Sequence, residues 1–206
     1  MNIELLKQKL AQSRPGIKSH LKMAPEHRAD ELMAVRDKDF NPKLSAVLVI
    51  LFHENERLKI VFIRRSEYVG IHSGQIAFPG GRYEESDADL RVTAIREVRE
   101  EIGVPDDYLE ILGSLSDLYV PPSNFLVRAY VAYAHQPPVY QKDDREVQEI
   151  IEFNLEDFYQ KDIIGRKDFQ AHNSLKVTNA PYYEINGVII WGATAMMMAE
   201  LLEILS

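Results

Sequence analysis

Three glutamates, Glu97, Glu100 and Glu101, fall within a five-residue window of the 206-residue chain. On a helix, Glu97 and Glu101 are i,i+4 neighbours with Glu100 beside them, and like charges at that spacing destabilise an isolated helix by about 0.2–0.5 kcal/mol per pair. A hard divalent cation offsets such repulsion, because it takes oxygen ligands and commonly combines one or two carboxylates with substrate phosphates. The chemistry on offer is Mg²⁺- or Mn²⁺-assisted reaction at phosphorus. An acidic helix with no other feature reads more simply as a solvated face, so the flanking residues decide.

Those flanks specify a helix and deliver it to a tight approach. Ser86 or Asp87 can cap the start, Gly103 supplies the C-terminal stop and Pro105 follows. Ala94, Ile95, Val98 and Ile102 form one apolar stripe, with Glu97, Glu100 and Glu101 expected on the opposite side. Upstream, Gln75 to Phe78 reads as a short strand leading into Pro79-Gly80-Gly81, where two glycines permit the close backbone approach a phosphate or metal site needs.

The pattern Arg96-Glu97-Val98-x-Glu100-Glu101-x-Gly103-Val104 behind Gly81 resembles the signature of the Nudix hydrolases. Between Asp87 and Arg96 stand eight residues, one more than the family's usual spacing, and this longer form looks like the coenzyme A pyrophosphatase branch. The run from Arg65-Ser66 through Val69-Gly70, His72-Ser73-Gly74-Gln75 and Phe78-Pro79-Gly80-Gly81 is similar to that branch's second signature, as is Ile190-Trp191-Gly192-Ala193-Thr194-Ala195. The resemblance spans Leu44 to the C-terminus. It implies an α/β protein of Nudix fold, a mixed β-sheet in an α/β/α sandwich.

The family hydrolyses a nucleoside diphosphate linked to another group. The branch implies coenzyme A or its derivatives, cut to adenosine 3′,5′-bisphosphate and 4′-phosphopantetheine. By this resemblance Glu97 and Glu101 are the first metal ligands and Glu100 the third, with a Gly80 or Gly81 carbonyl completing the shell. Arg96 pairs with Asp87 or Asp89 to hold the loop. The general base is a glutamate of the motif, Glu100 included, or a later one among Glu146, Glu149 and Glu152, each of which reads equally well as a charged strand edge. Where the branch commonly has Leu-Arg this chain has Val69-Gly70, leaving Arg64, Arg65 and Arg82, with His72, as the candidates to meet substrate phosphate. ADP-ribose, nucleotide sugars or nucleoside triphosphates would use the same metal site with another pocket, and a non-catalytic ligand-binding Nudix domain is the remaining alternative.

Composition limits the other possibilities. The net charge of −8 argues against broad nucleic-acid or anionic-membrane binding, and a small nucleotide is the expected partner. With no cysteine, disulfides, thiolate catalysis and cysteine-based zinc sites are excluded. The N-terminus shows no secretory apolar stretch and no run is long enough to cross a bilayer, so a cytoplasmic location is expected. The division expected is 1–42 as a helical extension and 43–206 as the catalytic domain. In the extension, 2–12 is an amphipathic helix, and His20 and His27 read as surface residues. In the domain, Leu44–Phe52 and Leu58–Arg65 form a hairpin. Leu109–Leu115 and Phe125–Tyr133 are strands flanking a Pro121-Pro122 loop that could touch substrate, Leu155–Tyr159 suggests a helix, and Asn186-Gly187 marks a second hairpin. The apolar helix from Ala193 to Leu205 belongs to the core, with breadth enough for a homodimer contact.

Overall fold

The computed structural model describes residues 2–12, 14–26, 28, 41–66, 74–170 and 176–206. Strand β1 (Lys43–Glu54) turns at Asn55-Glu56 into β2 (Arg57–Arg65), as the apolar runs require, and the two pair antiparallel. Short strands β3 (Ile76–Ala77) and β4 (Gly80–Arg82) pair with β2 and β1. Helix α3 (Leu90–Ile102) follows, after α1 (Ile3–Gln12) and α2 (Ile17–His20) at the N-terminus. Strands β5 (Leu109–Ser114), β6 (Leu118–Val120), β7 (Phe125–Ala134) and β8 (Val147–Asn154) complete the main sheet, in which β1 and β7 run parallel and the other pairs antiparallel. Strands β9 (Ile164–Gln170), β10 (Lys176–Ile185) and β11 (Val188–Trp191) form a second, antiparallel sheet, and α4 (Gly192–Leu205) closes the chain.

Period-two alternation on the central strands sorts their side chains into two cores. Ala46, Leu48, Ile50 and Phe52 of β1, with Val61 and Ile63 of β2, face Ala94, Val98 and Ile102 of α3. Val49, Leu51, Ile60 and Phe62 face the other way, onto Leu6 and Leu10 of α1 and the buried face of α4. The sheet is therefore mixed and sandwiched between helices, as the resemblance implied. The 155–159 segment is a 3₁₀ helix. The Asn186-Gly187 hairpin forms with both residues at positive φ, 52° and 78°.

One expectation needs correction at the N-terminus. His20 is not a surface residue: it is 2% exposed, and its Nε2 lies 2.8 Å from Oε2 of Glu200, which is itself fully buried on α4. Glu200 also accepts from the Gly16 amide at 3.0 Å and the Ser116 hydroxyl at 2.7 Å. Burial alone would push the Glu200 carboxyl up, and these bonds outweigh it and hold the carboxyl below its usual range. The first segment is thus pinned to α4, whose apolar residues from Ala195 to Leu201 are buried against α1, the sheet and this network. His27, the Val69-Gly70 pair and His72 lie outside the described residues. Among the described residues no helix is long and apolar enough to cross a membrane.

Candidate active site

The loop from Phe78 to Asp89 and helix α3 are locked together before any ligand is considered. Phe78, 1% exposed, stacks on Phe62 at 4.8 Å between ring centroids and anchors the segment that carries Gly80. Gly80 has φ +147°, and a Cβ there would lie 2.4 Å from the Ala46 carbonyl oxygen and 2.5 Å from Val47 Cα, so only glycine fits against β1. At Gly81 a Cβ would meet the Glu97 carboxyl at 2.5 Å. The glycine pair seats one residue on the sheet and leaves room for a carboxylate above the next.

The helix begins later than its sequence suggests. Asp89, not Ser86 or Asp87, is the cap, accepting from the Arg91 and Val92 amides at 2.8 and 3.0 Å. Asp87 instead takes Arg96 through paired bonds, Nε to Oδ1 at 2.9 Å and Nη2 to Oδ2 at 3.0 Å. The Arg96 bonds hold the Asp87 carboxyl well below the usual range, and Asp87 in turn holds the Arg96 guanidinium protonated. Arg96 Nη2 also donates to the Arg82 carbonyl at 3.0 Å, tying the loop to the helix. Its Nη1 donates to Glu97 at 2.9 Å and to Glu100 at 3.0 Å.

Glu101 does not share a solvated face with its neighbours. Its carboxyl is fully buried and accepts from the Gly80 amide at 2.7 Å, with Arg65 Nη1 3.5 Å away. Burial is the main cause that pushes its pKa up to about 7, against the pull of Arg65 and the Gly80 amide, and burial likewise raises Glu97. The third carboxylate of the group is Glu146, not Glu100. Glu97, Glu101 and Glu146 each bring an oxygen within 4.8 Å of the others, while Glu100 is turned to Arg96 with its side chain 55% exposed.

Two features bring Glu146 there. The Gln141 and Asp143 amides donate to the Ile102 and Glu101 carbonyls, clamping the approach to β8 onto the end of α3. A β-bulge then shifts the β2–β8 register, so that Arg64 faces Glu149 but Arg65 faces Val147, and the Ser66 amide donates to the Glu146 carbonyl at 2.9 Å. Of the other late acids, Glu149 is paired with Arg64 at 3.0 Å, and Glu152 is held by Tyr140 at 2.8 Å and Lys59 at 3.2 Å. Arg64 is thereby committed to Glu149, away from the cluster.

Arg65 and Arg82, with Gly80 and Gly81, line a cavity of about 350 Å³. The third sequence segment arrives at the same place: Trp191, Gly192, Ala193 and Thr194 form part of its wall, and Thr194 Oγ1 donates to the Ile76 carbonyl at 3.1 Å. Pro122 and Ser123 of the proline loop line it too. The residues that sequence reasoning passed over are Ser45, whose hydroxyl donates to the Gly81 carbonyl at 2.7 Å, and Phe125, in the cavity wall. Ser45 had a signal, a lone hydroxyl in an otherwise apolar strand; Phe125 had none.

The donor set fits a hard divalent cation. Among the described residues the ion pairs reaching Asp87, Glu97, Glu100 and Glu101 come from Arg65 and Arg96, all the donors are oxygens, and the Gly80 carbonyl, which accepts from Arg65 at 3.4 Å, keeps a second lone pair. A model of the NUDIX domain matches residues 42–172. The chain belongs to the Nudix family.

Among Nudix relatives, "Peroxisomal coenzyme A diphosphatase ndx-8" of Caenorhabditis elegans is 36% identical over 141 residues, 64% of this chain and 59% of that protein. "Nudix hydrolase 15, mitochondrial" of Arabidopsis thaliana is 40% identical over 82 residues, 39% of this chain and 29% of that protein. The chain therefore spans less than two thirds of either relative's length. A MutT/nudix family protein from Enterococcus faecalis superposes with a TM-score of 0.50 at 17% identity, covering 91% of this chain and 71% of that one, a likeness of fold.

Proposed function

We propose that this Nudix protein is a divalent-metal-dependent diphosphatase that hydrolyses the pyrophosphate of coenzyme A or its derivatives, releasing adenosine 3′,5′-bisphosphate and 4′-phosphopantetheine. The observation that carries the reaction class is the grouping of Glu97, Glu101 and Glu146 within 4.8 Å against the Gly80-Gly81 backbone. These three would hold Mg²⁺ or Mn²⁺, with Glu100 beside them. Such an ion, when bound, neutralises pyrophosphate charge and lowers the pKa of the attacking water.

The protein's own residues supply the rest. Arg96 and Asp87 fix the loop so that Glu97 can lie over Gly81. Arg65 and Arg82, at the cavity edge, neutralise phosphate oxygens. Glu146, exposed and carried on a segment separate from α3, offers one carboxylate oxygen to the ion and would take the proton of the attacking water on the other as the bridging P–O bond breaks. Coenzyme A is favoured over other diphosphates by the convergence of all three branch-like segments on one cavity and by the likeness to a protein named as a coenzyme A diphosphatase. A cytoplasmic location and a homodimer belong to the same proposal; the relatives carry peroxisomal and mitochondrial names.

The test is turnover in ¹⁸O-water with Mg²⁺ or Mn²⁺, offering coenzyme A, ADP-ribose and nucleoside triphosphates, with products read by mass spectrometry. Cleavage of coenzyme A to the two named products with one ¹⁸O incorporated supports the proposal. Cleavage of ADP-ribose alone overturns the substrate, and no cleavage of any diphosphate overturns the enzyme.

A further inference from the structure

The cavity beside the carboxylates differs from them in character. Away from its Arg65 and Arg82 edge, its wall is mostly apolar, with Val120, Phe125, Val127, Trp191 and Met197 prominent. Gln75, Ser123 and Thr194 interrupt that surface with polar groups, and Arg28 places a buried guanidinium in it. At about 350 Å³ it lies near the lower end of small-molecule pockets, about 300–1,000 Å³, and holds one arm of a large substrate, not the whole. It shares Gly80 and Gly81 with the carboxylate group, and Arg65 reaches both. A diphosphate held at the carboxylates therefore has an adjoining space for one of its two substituents.

The wall on the second-sheet side is rigid. Trp191 stacks on Phe169 with ring centroids 4.2 Å apart and planes 5° from parallel, and Tyr182 meets Phe169 edge-on at 6.0 Å. Lys167 lies over both Phe169 and Tyr182, at 5.1 and 5.2 Å from the ring centroids. The far side of this stack is thus built up and charged, and the indole is presented to the cavity in one fixed orientation. That surface suits a chain that is apolar over most of its length and interrupted by amide carbonyls. A ribose carrying a dianionic phosphate would have to be desolvated against those aliphatic side chains, with the Arg28 guanidinium as the charge in that wall to offset the cost.

We propose that this cavity seats the neutral, amide-bearing pantetheine arm of the substrate, with Trp191 as its fixed wall, and that the adenosine bisphosphate arm lies outside it. This rests on the coenzyme A reading above and adds which half of the substrate the site recognises by shape. Phe125 and Met197 pack against the arm's methyl and methylene groups, and its carbonyls face the polar side chains of Arg28 and Gln75 in the wall.

Trp191 is the single tryptophan of the chain, so its emission reports occupation of the cavity with no dependence on turnover. Coenzyme A hydrolysis is measured first on the same full-length preparation, and its absence sinks the coenzyme A reading itself. With hydrolysis established, the protein without added metal is titrated with 4′-phosphopantetheine and, separately, with adenosine 3′,5′-bisphosphate. A saturable change in Trp191 emission with phosphopantetheine, and none with the bisphosphate, is expected. A change with the bisphosphate, alone or alongside phosphopantetheine, overturns the assignment, as does no change with either. A second measurement fills the cavity: Ala193→Phe is expected to raise the KM for coenzyme A by tenfold or more, and a folded variant with unchanged KM also overturns it.

Discussion

Glu101→Gln tests the electrostatics of the site without any substrate. The Glu101 carboxyl is fully buried, and its pKa stands at about 7 instead of the ordinary 4.5. A carboxyl whose folded pKa is raised lets the protein keep full stability below about pH 4.5, and that stability is lost as pH rises through about 7. At 1.36 kcal/mol per pKa unit the loss amounts to about 3 kcal/mol by pH 8. Glutamine cannot ionise, so metal-free Glu101→Gln escapes the loss while its side-chain oxygen still accepts from the Gly80 amide. For a chain of this size 1 kcal/mol moves the Tm by about 2–4 °C, which sets the gap at roughly 6–12 °C in favour of the variant at pH 8. The gap should close at pH 4.5. Added Mn²⁺ should raise the wild-type Tm at pH 8 and leave the variant's unchanged. The assay is differential scanning calorimetry of both proteins across pH 4.5–8 in chelator and in Mn²⁺. Parallel pH profiles for the two metal-free proteins would refute the burial argument, and equal Mn²⁺ shifts would remove Glu101 from the ion site.

The glycine pair should respond asymmetrically. Gly81→Ala meets only the end of the flexible Glu97 side chain, so it should fold with a near-normal Tm and lose about 10²-fold in turnover as that carboxylate is displaced. Gly80→Ala meets β1 backbone at a positive φ and should cost more than the roughly 1–3 kcal/mol typical of backbone strain, read by urea unfolding. Asp87→Ala strips the Arg96 guanidinium, 13% exposed, of its paired acceptor, and should destabilise by about 3 kcal/mol in the same measurement. His20→Ala leaves the buried Glu200 without its nearest ring nitrogen and should also cost about 3 kcal/mol, with amide exchange accelerated first in α1 and α2.

What the sequence made legible was what neighbouring residues determine. The central strands, the Asn186-Gly187 hairpin and the run from Gly80 to Gly103 follow from alternation, turn chemistry and spacing. The pairing of Arg96 with Asp87 or Asp89 came from the resemblance to the family, and the structure selects Asp87. Contacts set by long-range register were not legible. Glu146 joins Glu97 and Glu101 only because a bulge opposite Arg65 and two amides bound to the end of α3 bring it there, and Glu149, just as acidic, is turned aside to Arg64. The helix cap moved from Asp87 to Asp89 because Arg96 competes for Asp87 more strongly than a backbone amide does. His20 looked solvated because its polar segment gives no hint of Glu200, an acid placed within an apolar helix whose meaning appears only when the two meet.

The central claim is that Glu97, Glu101 and Glu146 together grip the ion that acts on a pyrophosphate. Anomalous scattering from crystals grown with Mn²⁺ measures this most directly. A manganese peak bounded by those three carboxylates and the Gly80-Gly81 backbone is the expected result. A peak elsewhere, with Glu97 still bonded to Arg96 and Glu101 to the Gly80 amide alone, would contradict it.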